Sequence, residues 1–117
     1  MIEDMTMNRY QNEAFLTAQY PEAGEGTVGA VIYGGLAVAG EGGEIANQVK
    51  KILRDDGGVL TESRRQKIYE EAQGCLWELS ALIRELGYTL EEAGNANLRK
   101  LRDRQARGVI KGDGDNR

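Results

Sequence analysis

Gly40-Glu41-Gly42-Gly43-Glu44-Ile45-Ala46-Asn47-Gln48-Val49-Lys50-Lys51-Ile52-Leu53-Arg54-Asp55-Asp56-Gly57-Gly58 decides the fold of this 117-residue chain. At about 100° per residue, Ile45, Val49 and Ile52 fall on one narrow apolar stripe, the period of a helix and not of a strand. Glu41 lies at the edge of that stripe and Glu44 roughly 60° further out. Asp55-Asp56-Gly57-Gly58 is a strong stop signal. The pattern returns 30 residues on, where Glu71 and Gly74 precede Cys75, Leu79 and Leu82. If these helices pack as an antiparallel hairpin, their border carboxylates face each other across a groove.

Working outward, Pro21 is the only proline, so long helices are permitted almost everywhere. Thr6 caps a first helix expected from about Met7 to Gln19. The stretch from Tyr20 to Thr27, with Pro21, Gly24 and Gly26, reads as a loop. The second helix is expected from Val28 or Ala30 to Leu53. Thr61 caps a third, which Leu86-Gly87 ends with a left-handed glycine. Thr89-Leu90-Glu91-Glu92 is a capping box and opens a fourth helix to about Gln105. No run alternates at period two, so no sheet is expected. The fold class is therefore all-α, of the four-helix-bundle type, with apolar faces wide enough to pair with a second copy. Residues 1–105 form the helical domain and 106–117 a tail without helical or strand period.

Composition narrows the chemistry. A net charge of −4 makes nucleic acid a poor partner, because duplex binding needs a basic surface. No apolar run approaches the roughly 20 residues that span a bilayer, and the acidic start Met1-Ile2-Glu3-Asp4 is unlike a secretory signal. A cytoplasmic protein without a membrane partner is expected. Cys75 is the sole cysteine and there is no histidine. Disulfides, thiolate zinc sites and histidine-dependent triads are thereby disfavoured. Any metal should be a hard cation held by oxygen, Mg²⁺ or Mn²⁺.

The carboxylates supply the candidate ligands. Glu41 and Glu44, at i and i+3, are neighbours on a helix, and like charges brought together favour a cation between them. Alone, the pair reads as a solvated helix face. The border placement, the matching Glu71 and the surrounding glycines favour a metal site instead. Gly34, Gly35, Gly40, Gly42 and Gly43 each cost roughly 1 kcal/mol inside a helix. Close helix approach accounts for Gly34 and Gly35; room for a ligand, or a break in the helix, accounts for the others. Lys50, Lys51 and Arg54 suit a helix C-terminus, and Lys50 is also a candidate phosphate contact. Asn97, Lys100 and Arg104 share one face of the fourth helix and read as either a solvated face or contacts to ribose and phosphate. Trp77 reads as core more readily than as a platform for a base.

These motifs resemble the MazG-like family of all-α nucleoside triphosphate pyrophosphohydrolases. Glu41-Gly42-Gly43-Glu44 resembles the family's Glu-x-x-Glu. Glu71, followed by Leu76-Trp77, resembles its Glu-x-x-Asp motif. The segment Leu90–Leu101 is similar to the family's last helix, and Arg104–Arg117 to the tail of a subgroup from bacteria and their phages. The resemblance runs from Tyr10 onward. It implies a homodimer or homotetramer and Mg²⁺-dependent cleavage of a nucleoside or deoxynucleoside triphosphate to monophosphate and pyrophosphate. Glu41, Glu44 and Glu71 then fall on metal-ligand and catalytic positions. Asn97 and Lys100 fall near nucleotide-holding positions, and the tail is expected to fold over a site through Arg107, Lys111 or Asn116. The departure is Gln73-Gly74, where the family has Gly then Asp. Glu78, one turn on, is the candidate replacement ligand. The competing expectations are a non-catalytic nucleotide binder using the same pocket, and a purely structural helical module.

Overall fold

A computed structural model describes all residues, Met1–Arg117, as four helices without a strand: α1 (Met7–Phe15), α2 (Val28–Arg54), α3 (Glu62–Glu85) and α4 (Leu90–Ala106). Each begins on a threonine whose hydroxyl accepts from the backbone N–H three residues on. Thr6 takes Arg9, Thr27 takes Ala30, Thr61 takes Arg64 and Thr89 takes Glu92, at 3.0–3.2 Å. Such caps contribute about 0.5–2 kcal/mol each. Thr27, the last residue of the stretch expected as a loop, is the cap that opens α2. Gly87 ends α3 with φ +88°, and its N–H donates to the Arg84 carbonyl, as the left-handed cap requires.

Helix α1 stops at Phe15, one turn short of the expected Gln19, for a visible reason. The Ala14 carbonyl, which would accept from Ala18 in a continuing helix, accepts instead from the Thr17 hydroxyl (2.8 Å) and the Trp77 indole (3.1 Å). Ala18 turns to the Phe15 carbonyl, tightening the chain into a turn. Trp77 therefore anchors α1 to α3. Helix α2, by contrast, is unbroken across all its glycines.

The antiparallel pair α2–α3 is the spine. At Gly34 the helices approach so closely that a Cβ would lie 3.1–3.3 Å from the Leu82 side chain and Cα. Gly35, given the same explanation from sequence, faces open space, as do Gly40, Gly42 and Gly43. At the far end Arg64, largely buried, pairs with Asp56 at 2.8 Å and donates to the Gln48 side chain at 2.7 Å. That contact fixes the loop between the two helices.

The other two helices gather at the end of α3. Gln11, 3% exposed, donates to the carbonyls of Ser80 and Tyr88 and accepts from the N–H of Leu90. One amide thus ties α1, α3 and the start of α4. Glu85, 5% exposed, accepts from the Tyr20 hydroxyl and from the N–H groups of Gly24 and Gly26. Burial alone would raise its pKa, but those three hydrogen bonds win and hold it below the ordinary glutamate value. Tyr20 stacks on Tyr33 at 4.7 Å, so the loop is also joined to α2.

These four helices do not close into one bundle within a single chain. α2 packs against α3 alone, and every residue from Asn95 to Asp103 on α4 is exposed. The only buried hydrophobic residues are Ala30, Ala81 and Leu90. The chain exposes 8231 Å², whereas a compact monomer of 12.9 kDa exposes about 6,300 Å². Its radius of gyration is 17.1 Å, against about 13 Å for a compact domain of this length. No helix is long and apolar enough to cross a membrane.

Because Gly34 meets a Cα as well as a side chain, Gly34→Ala must push the helices apart. The strain outweighs the gain in helix propensity, for a net loss of about 1 kcal/mol. Thermal denaturation measures it; a variant as stable as the parent would contradict this close approach.

Candidate functional site

The register that seats Gly34 on Leu82 brings Glu41, two turns later, onto Gly74. A Cβ at position 74 would lie only 2.8 Å from a Glu41 carboxylate oxygen. The Glu41 side chain thus folds into space that any residue other than glycine would fill. Glu78, one turn after Gly74, faces the same place. Its Oε2 is buried without a hydrogen-bond partner. Burial first, and the Glu41 charge second, raise the Glu78 pKa above the ordinary glutamate value. Two carboxylates are therefore held near each other with one oxygen unsatisfied, a costly arrangement in the absence of a cation or proton.

Of the remaining predicted ligands, Glu71 on α3 is half-buried, as Glu41 is, and Glu44 on α2 is exposed. No three acidic side chains converge as a metal-ligating group. Gly40, Gly42 and Gly43 have nothing within 4 Å of where a Cβ would stand, and at about 100° per residue they lie on the sides of α2 turned away from Glu41. Lys50 is exposed, further along α2.

The predicted phosphate contacts collect elsewhere. Lys100, Arg104, Arg107 and Asn116, with Asp103, Asp115 and Arg117, line a polar recess of about 210 Å³ at the end of α4. Arg104 is buried there and is engaged by Asp115 of the tail. The tail folds back on α4 of its own chain. Asn97 and Lys111 are exposed beside this recess in sequence but do not line it. Within one chain α2 does not contact α4, so the carboxylate pair and the basic recess are separate features. Sequence reasoning missed Asp115; its acidic side chain in a basic tail was the available signal.

The raised Glu78 pKa sets a pH test. In the fold the protonated form is favoured, so the penalty is absent below about pH 4 and grows as pH rises through the folded value. In metal-free buffer, Glu78→Gln should raise the thermal midpoint at neutral pH, with the gain vanishing near about pH 4. An equal gain at both pH values, or none at neutral pH, would argue against the forced pair.

No family model matches the chain, and no solved structure matches it. The chain is 42% identical over 114 residues to the Gene 37 protein of Mycobacterium phage L5, across 97% of this chain and all of that protein. The chain belongs to the family of the phage L5 Gene 37 protein.

Proposed function

We propose that this chain is a MazG-like nucleoside triphosphate pyrophosphohydrolase whose metal centre is built on Glu41 and Glu78, with Glu44 and Glu71 as the flanking carboxylates. The observation that carries the reading is the unpartnered, buried Glu78 oxygen beside the Glu41 carboxylate. Mg²⁺ or Mn²⁺ fits this donor set: the oxygens are hard, the ligands are few, and such ions keep waters and substrate phosphates in their remaining positions. When bound, the ion would neutralise the carboxylates and supply Lewis acidity towards a phosphoanhydride.

The chain's own residues have the following roles. Glu41 and Glu78 hold the ion from the two helices of the spine. The exposed Glu44 or the half-buried Glu71 would accept a proton from the attacking water. Lys100, Arg107, Lys111, Asn97 and Asn116 would bind the phosphates and ribose, with Lys50 a further candidate contact on α2. Arg104 would join them from its buried position on α4. Since α2 and α4 do not touch, one chain alone does not join the two halves of this site. The surface in excess of a compact monomer, about 1,900 Å², is of the size buried in stable subunit contacts. Exposed Ile32, Leu36, Leu53 and Leu101 are apolar side chains that such a contact would cover. A homodimer or homotetramer is therefore part of the proposal.

A second reading, a non-catalytic nucleotide binder, is favoured by one specific observation: with glycine at position 74, no three carboxylates converge. Gly74→Asp separates the two. Its Cβ would displace the Glu41 carboxylate, the mobile end of a long side chain, and add a fresh ligand. Pyrophosphate release from a panel of nucleoside triphosphates with Mg²⁺ or Mn²⁺ is the measurement. The proposal predicts turnover by this chain, increased by Gly74→Asp. Silence from this chain with turnover by Gly74→Asp would assign it to the binders. Silence from both would remove the hydrolase reading.

A further inference from the structure

The polar recess at the end of α4 is already occupied by the chain itself. Lys100, Arg104 and Arg107 follow one another at i, i+4 and i+7, one face of the helix. Lys100 Nζ donates to both Asp115 carboxylate oxygens at 3.3 Å. Arg104 Nη2 donates to Asp115 Oδ1 at 3.0 Å and also to the Asp115 backbone carbonyl. Arg107 pairs with Asp103 at 2.7 Å and donates to the Arg117 carbonyl at 2.8 Å. Every helix cation here is spent on an oxygen of its own chain, and no apolar side chain lines the recess.

Two asymmetries make Asp115 a displaceable occupant. Its side chain is 73% exposed, whereas that of Arg104 is 10% exposed. The guanidinium is fixed by its surroundings and the carboxylate is not; an ion pair with an exposed member contributes only about 0–1 kcal/mol. The tail also has a separate clasp. Arg117 donates to the carbonyls of Val109, Ile110 and Gly114, closing the segment on itself without the Asp115 carboxylate. The Arg104 bond to the Asp115 backbone carbonyl would survive loss of that charge. Hydrogen bonds from Arg104 and then Lys100 keep the Asp115 pKa below the ordinary aspartate value, so an anion is present at neutral pH.

Lys100 and Arg107 are about 10 Å apart along the helix axis, a spacing suited to a chain of phosphates more than to a single one. Oligophosphate oxygens carry more charge than one carboxylate and accept from guanidinium groups in paired geometry. We propose that Asp115 is a built-in placeholder in an oligophosphate site, displaced from Lys100 and Arg104 when a phosphate chain binds, so that the tail opposes its own ligand. This deepens the functional reading above, since the phosphate chain would be that of the nucleotide. It is tested without a nucleoside or a metal, and so stands or falls apart from the carboxylate centre.

The test is calorimetric titration of the full chain with inorganic tripolyphosphate at low ionic strength without divalent metal. Asp115→Asn should bind about three- to fivefold tighter than the parent, the release of one exposed ion pair. Adding Lys100→Gln to that variant should reverse the gain. Equal or weaker binding by Asp115→Asn would overturn the proposal, as would a gain that Lys100→Gln leaves intact. Amide exchange guards the interpretation: if Asp115→Asn deprotects residues 108–117, Asp115 is a structural latch and the placeholder is excluded.

Discussion

The pairing of α2 with α3 is the constraint on which the rest depends, because α3 is the only helix α2 touches. Its register is fixed at one end by the absence of a side chain at Gly34 and at the other by Arg64 with Asp56 and Gln48. Once both ends are set, the Glu41 side chain faces Gly74, next to Glu78. The proximity of two carboxylates follows from helix packing and is not a local choice of either side chain. Missing bulk at Gly74 also explains why Glu41 lies down on α3, where a larger residue would prop it outward.

Hydrophobic burial within the single chain is too slight to explain the fold by itself. Polar hubs do much of the joining. Gln11 satisfies two carbonyls and one N–H with one amide, leaving none of its partners stranded. Glu85 does the same for the loop before α2. Buried polar groups hold a structure together when fully satisfied and disrupt it when they are not. The unpartnered Glu78 oxygen stands out against that background: elsewhere in this chain, buried side-chain polar atoms find partners. An unsatisfied atom beside a second carboxylate is the feature that points from structure to chemistry.

Much of the architecture was legible in the sequence. Thr6, Thr61 and Thr89 announced their helices, and Asp55-Asp56-Gly57-Gly58 and Gly87 announced two ends, because capping is local chemistry. The end of α1 was not legible, since it depends on Trp77 claiming a carbonyl from 63 residues away. The width of the apolar faces was legible, but not that α2 packs on α3 alone, because periodicity identifies an apolar face without saying whether the same chain covers it. At the candidate site, helical spacing put Glu41 and Glu71 at the border of the apolar stripe and Glu44 further out, and Glu44 is the exposed one. The pairing of Glu41 with Glu78 was not legible, because it depends on how the helices cross. On α4 the shared face of Lys100 and Arg104 was readable, but the anion that fills it arrives from a tail with no periodicity to read.

The central claim is that the Glu41–Glu78 pair is an unfinished cation site. Its most direct test is electron paramagnetic resonance of Mn²⁺ titrated into the nucleotide-free chain, in which bound ion loses the sharp signal of the free ion. Saturable binding by the parent, lost in both Glu41→Gln and Glu78→Gln while the fold persists by circular dichroism, is the result the pair predicts. A parent chain that leaves the Mn²⁺ signal as free as either variant does would contradict it.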